Sequence, residues 1–257
     1  NINRIFFSDN GSTAVEVALK IAVQYWANTG QKRNTIIALE NSYHGDTFGS
    51  MSVSERSGFT LPFHDLLFEV VFIPSPALDP DRCLKALQEV TKANDVAAFI
   101  YEPLVQGAGG MLMYPPNLLE QMLLICRDNG VLAIADEVMT GFGRTGKIFA
   151  SHFAQTPPDL ICLSKGITGG VLPLAVTACT SRIYDAFLSD EKRKAFYHGH
   201  SYTGNALAIA AARASLKLLR NSWSKIQLIE QSHRQFLEKL SRLTQVKNPR
   251  VTGTILA

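Results

Sequence analysis

Gly130-Val131-Leu132-Ala133-Ile134-Ala135-Asp136-Glu137 joins the end of one element to the whole of the next. Upstream, Asn117 to Asn129 repeats its apolar residues at helical spacing, and Gly130 is placed to close that helix as its C-cap. Val131 to Ala135 is then an unbroken apolar run of strand length, the pattern of a strand covered on both faces. It ends abruptly on two carboxylates. The same unit recurs along the chain. Ile5 to Ser8, Thr35 to Leu39, Val70 to Ile73, Val96 to Tyr101 and Asp159 to Leu163 read as strands; Ala14 to Ala27 and Cys83 to Val90 read as helices. Such alternation predicts an α/β fold, a mostly parallel central sheet covered by helices. In sheets of this kind ligands sit beyond the carboxyl ends of the strands. Ser8, Glu102, Asp136 and Lys165 all fall at or just past such ends.

Beyond residue 180 the pattern turns helical, with Ala206 to Leu219 and Gln227 to Leu243 as helices and Arg250 to Ala257 as the opening of a new strand. The expected organisation is a large domain over residues 1–245, followed at 246–257 by the start of a C-terminal small domain. The strand-like Arg4 to Phe7 so near the first residue leads us to expect chain before it. For the helix after Ser8, Ser12 and Thr13 are the expected N-caps, with Glu16 completing a capping box.

A chain of 257 residues with 46% hydrophobic and 18% charged side chains can bury a sizeable core. Its net charge of +3 is small for this length and no lysine or arginine run stands out, so neither nucleic acid nor an anionic membrane is the default partner. Cys83, Cys126, Cys162 and Cys179 lie far apart without CxxC spacing, which reads as reduced thiols in a cytoplasmic protein and not as a metal site. There is no signal-peptide pattern and no long uncharged apolar span.

Chemistry concentrates at Lys165. An ammonium at the end of an apolar strand, followed by Gly166, Gly169 and Gly170, is a charge where charge is normally avoided. An amine kept partly neutral there can form a Schiff base with an aldehyde or ketone. Asp136 stands 29 positions earlier on another strand end. A lysine Schiff base to pyridoxal phosphate needs such a carboxylate at the pyridine nitrogen. It also needs an aromatic plane, which Tyr43 can supply, and helix N–H donors for phosphate, which Gly11 and Ser12 can supply. His44, beside Tyr43 on a glycine-bounded loop, reads more simply as a hydrogen-bonded structural residue. Gly141-Phe142-Gly143-Arg144-Thr145-Gly146 satisfies G-x-G-x-x-G, yet five residues separate it from its strand and two carboxylates stand before it. That context points to a glycine-permitted loop at the site, not to a dinucleotide turn.

Asp9 to Ser12, Tyr43 to Gly49, Glu102-Pro103, Asp136 to Gly146, Lys165-Gly166 and His198 to Asn205 together resemble the class III pyridoxal-phosphate aminotransferases, most closely the branch acting on 8-amino-7-oxononanoate in biotin biosynthesis. The resemblance implies the large domain of a fold type I transferase with pyridoxal 5′-phosphate as cofactor. It implies that Lys165 carries the cofactor and shuttles the proton, that Asp136 pairs with the pyridinium and that Gly11 and Ser12 hold the phosphate. Tyr43 stacks on the ring and borders the substrate, and Gly199 lines the substrate site. His200 and Ser201 reach the phosphate of the neighbouring subunit in a homodimer with shared sites. Glu102 and His44 support these groups from behind. The partners implied are a small-molecule keto acid and an amino donor. An amine:pyruvate transaminase of the same fold and a silent remnant are the alternatives; retention of both Asp136 and Lys165 speaks against silence. Met139 stands where many members carry glutamine, and His200-Ser201 where adenosylmethionine users tend to carry proline-threonine.

Overall fold

A computed structural model describes residues 2–257. In chain order the elements are β1 (Ile2–Ser8), α1 (Gly11–Asn28), β2 (Thr35–Leu39), the short α2 (Phe48–Ser52), β3 (Val71–Ile73), α3 (Pro80–Val90) and β4 (Val96–Tyr101). A small hairpin, β5 (Val105–Gln106) and β6 (Leu112–Met113), leads into α4 (Pro116–Asp128), β7 (Leu132–Asp136) and β8 (Leu160–Leu163). The chain closes with β9 (Ala175–Thr180), α5 (Ser181–Asp185), α6 (Ala206–Asn221), α7 (Trp223–Leu240), β10 (Val251–Thr252) and β11 (Ile255–Leu256).

Seven strands form one sheet in the order β1-β9-β8-β7-β4-β2-β3. The five from β3 to β8 are mutually parallel. β9 runs antiparallel to both β8 and β1, which leaves β1 pointing the same way as β8. The expected mostly parallel sheet is therefore present, with one reversed strand that periodicity did not reveal. Ala175-Val176-Thr177-Ala178-Cys179-Thr180 mixes small and hydroxyl residues, so it lacks the branched apolar run that marked its neighbours.

Strand side chains alternate between two cores. Leu132 and Ile134 join α1 on one face, while Ala133 and Ala135 join α3 and α4 on the other. α1 is clamped against the sheet through Val15, Ala18, Ala22 and Trp26, all nearly free of solvent. Trp26 Nε1 donates to Ala97 O at 2.9 Å, so even its polar edge is satisfied inside.

The start of α1 departs from expectation. Asn10 is the cap: its side chain accepts from Thr13 N at 3.0 Å, and Thr13 Oγ1 accepts from Asn10 N at 3.2 Å. Glu16 is free for another task. Its Oε1 accepts from Thr47 Oγ1, Gly49 N and Ser50 N at 2.5, 2.7 and 3.2 Å, capping the neighbouring α2. Gly130 takes the left-handed conformation (φ 65°) just after α4, as its C-cap reading requires. Arg250 to Ala257 forms the hairpin β10–β11, two short strands in place of one.

Candidate active site

Because β1, β4, β7 and β8 point the same way, Ser8, Glu102, Asp136 and Lys165 come out along one edge of the sheet. Beyond that edge lies a cavity of about 810 Å³ whose wall includes Gly11, Ser12, Tyr43, Asp136, Val138 and Lys165.

At one end sits the N-terminus of α1. The capping box occupies Thr13 N, and Ala14 N bonds to Asn10 O, but the N–H groups of Gly11 and Ser12 have no acceptor among the described residues. They are donors at the positive end of an 18-residue helix, a fitting cradle for an anion. Gly11 is needed for closeness: a Cβ there would lie 2.8 Å from Val138 Cγ1. Ser12 Oγ accepts from Asp46 N at 3.2 Å, tying the Tyr43 loop to the same helix end.

Asp136 closes β7 and is 5% exposed. Its Oδ1 accepts from Val138 N at 3.0 Å and its Oδ2 meets His44 Nδ1 at 2.7 Å. A carboxylate only accepts, so the proton of this contact lies on Nδ1. His44 Nε2 is buried without a partner among the described residues, and the backbone N–H of His44 donates to Ser54 Oγ at 2.8 Å. His44 thus holds Asp136 from behind while Asp136 faces the cavity.

Glu102 is the second buried carboxyl. Its Oε1 accepts from Tyr43 N at 3.1 Å and its Oε2 from Gly107 N at 2.8 Å, so it fixes two loops that line the cavity. Burial lifts its pKa to about 7; the nearby His44 pulls it down and the Asp136 charge pushes it up. Tyr43 lies half open on the cavity wall and donates its hydroxyl to Asp46 Oδ2 at 2.9 Å. Burial, aided by Asp46, pushes that phenol to about 12, so it remains protonated.

Lys165 follows β8 in the left-handed region (φ 43°), at the head of a 3₁₀ turn over Lys165–Thr168. Its side chain is exposed, and it is exposed into the cavity. The turn is held by Thr168 Oγ1 donating to Leu172 O at 2.6 Å, and by Ser215 Oγ of α6 donating to Gly166 O at 3.3 Å. Phe142 of the glycine-rich loop packs under Gly166, where a Cβ would come within 3.1 Å. The loop from Gly141 to Gly146 therefore backs Lys165, as its context indicated.

Two features escaped the sequence. Val138 lies on the cavity wall between Asp136 and Gly11, offering an apolar surface that periodicity could not assign. Its only signal was its place two residues past a strand-end carboxylate. Glu137 is fully buried and turned away: it accepts from Ser151 N (2.6 Å), Ala150 N (2.9 Å) and Thr140 Oγ1 (2.7 Å), so only one of the paired carboxylates serves the site. Gly199, His200 and Ser201 do not line this cavity. They lie on an exposed turn whose link to the site is His200 Nε2, 3.5 Å from Asp9 Oδ2. The expectation that Gly199 lines the substrate site is thus not met within one chain.

A relative from Synechococcus elongatus, an adenosylmethionine-8-amino-7-oxononanoate aminotransferase, is 53% identical over 100% of this chain and 62% of its own. The protein of that name from Geobacter sulfurreducens is 41% identical over 99% of this chain and 60% of its own. The chain therefore spans about three fifths of the length of the curated relatives it matches. The crystal structure of the Methanocaldococcus jannaschii enzyme of that name superposes with a TM-score of 0.92 at 37% identity, covering 99% of this chain and 60% of that one. An amine transaminase from an uncultivated Pseudomonas species, solved in a PLP-bound form, gives 0.89 at 35% identity over 98% of this chain and 61% of its own. The family Aminotransferase class-III matches residues 1–257, and the chain belongs to it.

Proposed function

We propose that this chain is the large, cofactor-binding part of a pyridoxal-phosphate aminotransferase that passes an amino group to 8-amino-7-oxononanoate, giving 7,8-diaminononanoate in biotin biosynthesis. The observation that carries the reading is the meeting of Lys165, Asp136 and the open N-terminus of α1 on one cavity. The donor set fits the cofactor. The free N–H groups of Gly11 and Ser12 suit its phosphate, Asp136 its ring nitrogen, Lys165 its aldehyde, and the two faces of a flat ring would meet Tyr43 and Val138. When bound, pyridoxal phosphate supplies an electron sink that stabilises negative charge on the substrate carbon losing its proton.

The chain's own residues do the rest. Asp136, held by His44 and Val138 N, keeps a proton on the ring nitrogen. Lys165 would anchor the cofactor at its aldehyde, and its Nζ, opening on the same cavity, would serve as the base that takes and returns the proton of the substrate carbon. Its left-handed backbone, fixed by the Lys165–Thr168 turn, aims that amine. Glu102 keeps the Tyr43 and Gly107 loops at their spacing.

Residues 1–245 form the large domain in this reading, and 246–257 open a C-terminal small domain. His200 and Ser201 act on the phosphate of a second copy in a homodimer with shared sites; their position on an exposed turn supports this, as do the exposed Tyr197 and Tyr202 beside them. Four buried free thiols support a reducing, cytoplasmic setting. Among the described residues no helix is long and apolar enough to cross a membrane. The likeness to an amine transaminase supports a second reading, an amine:pyruvate transaminase.

The test uses full-length protein with pyridoxal phosphate. Borohydride reduction and peptide mapping should place the cofactor on Lys165; a label elsewhere, or none, refutes the reading. Amino transfer to 8-amino-7-oxononanoate in preference to pyruvate decides between the two substrates.

A further inference from the structure

Arg250 lies outside the cavity, just ahead of β10, yet its guanidinium crosses to the loop that joins β5 and β6. Nε donates to Met111 O at 2.8 Å, Nη2 donates to Gly110 O, and Nη1 donates to Asn248 O at 2.9 Å. The planar fork is satisfied by carbonyls alone. Its own backbone is pinned across the hairpin, with Arg250 N to Ala257 O at 2.7 Å and Ala257 N to Arg250 O at 3.0 Å.

The gripped loop supplies Gly107, Ala108 and Met111 to the cavity wall, which is neutral and poor in side chains there. Its backbone is unusual: Gly110 and Met111 both have positive φ, 99° and 54°. A methionine in that region is unfavourable and persists only where its surroundings enforce it. Glu102 holds the loop at Gly107 N, and Gly109 packs too closely on Asn41 O to admit a side chain. Arg250 holds the other end, at the two residues with left-handed backbone. The same hairpin grips the loop behind Lys165: Thr254 N and Oγ1 donate to Arg144 O at 2.9 and 3.1 Å, and Gly253 packs on the Thr145–Gly146 backbone.

We infer that Arg250 is a positioning residue for the Gly107–Met111 wall, and that this wall is the surface against which the carbon chain of the amino substrate lies. The second half rests on the aminotransferase reading; the first does not. Removing the guanidinium frees a strained loop without touching Lys165, Asp136 or the helix N-terminus, so binding should suffer more than turnover.

The experiment uses full-length, cofactor-loaded protein carrying Arg250→Ala. Hydrogen exchange of peptides over residues 104–113 should rise while those of β4 and β7 stay unchanged. KM for the amino acceptor should rise about tenfold, as expected for lost charge-assisted bonds, with kcat within about threefold. Added methylguanidinium should lower that KM, and sodium chloride at equal ionic strength should not. Arg250→Lys, which keeps the charge and can reach one carbonyl, should show the same pattern more weakly and serves if the alanine variant does not fold. Unchanged exchange at 104–113, or a rise spread over the whole sheet, overturns the positioning role. Raised local exchange with unchanged KM overturns the substrate wall. Should the parent protein transfer no amino group, the aminotransferase reading falls, the wall falls with it, and exchange alone decides on Arg250.

Discussion

Glu102 carries a stability signature that can be measured without turnover. Its carboxyl is 5% exposed, and burial raises its pKa from the ordinary 4.5 to about 7. Below pH 4.5 the group is protonated in both folded and unfolded chains and adds no burden. Between about 4.5 and 7 the unfolded chain releases the proton that the folded chain keeps, so stability falls as pH rises. The gap corresponds to about 3 kcal/mol, all of it lost above pH 7. Glu102→Gln cannot titrate, so it escapes this loss. It introduces another: one of the two donors, Tyr43 N or Gly107 N, would face an amide NH₂ in place of an oxygen, at about 1–2 kcal/mol independent of pH. The two effects make the stability curves cross. The variant should be less stable by up to about 1 kcal/mol near pH 5 and more stable by about 2 kcal/mol near pH 8. Equilibrium urea unfolding of cofactor-free protein, followed through the buried Trp26, reads the difference at each pH. Parallel curves for the two proteins, or a variant that loses ground as pH rises, would refute the reasoning.

Asp136→Asn keeps the size of the side chain but cannot hold a proton on a ring nitrogen. Its kcat should fall by about 10²–10³, about 3–4 kcal/mol, with cofactor still bound by absorbance. Gly11→Ala sets a methyl against the stiff Val138 at 2.8 Å and displaces the free N–H groups; cofactor titration should show Kd raised about tenfold, while phosphate-free pyridoxal is affected less. Under the proposed shared-site homodimer, Lys165→Ala and Ser201→Asp should each be inactive, but a mixture of the two should regain the activity of one wild-type site per heterodimer, the site with Lys165 from one copy and Ser201 from the other. Proven heterodimers without activity would place Ser201 in its own copy's site.

Local pattern was enough for the strands whose apolar runs stand out, for the helices between them, and for the position of Lys165 and Asp136 at strand ends. Parallel strands covered on both faces must be apolar throughout, so their termini are written as abrupt changes to charge. The expected Ser12 or Thr13 cap failed because several neighbouring residues could cap a helix, and packing chose Asn10 and Thr13 while sending Glu16 across to α2. The antiparallel β9 went unread because its small residues owe their burial to the strands on either side. Nothing local distinguishes Asp136 from Glu137. The sheet pleat turns one to the cavity, where His44 meets it from 92 positions away, and the other to the Ala150–Ser151 backbone. Arg250 reaches Met111 over 139 positions. Composition and periodicity report which groups leave water; the partner each polar group finds there is set by chain segments that only the folded sheet brings together.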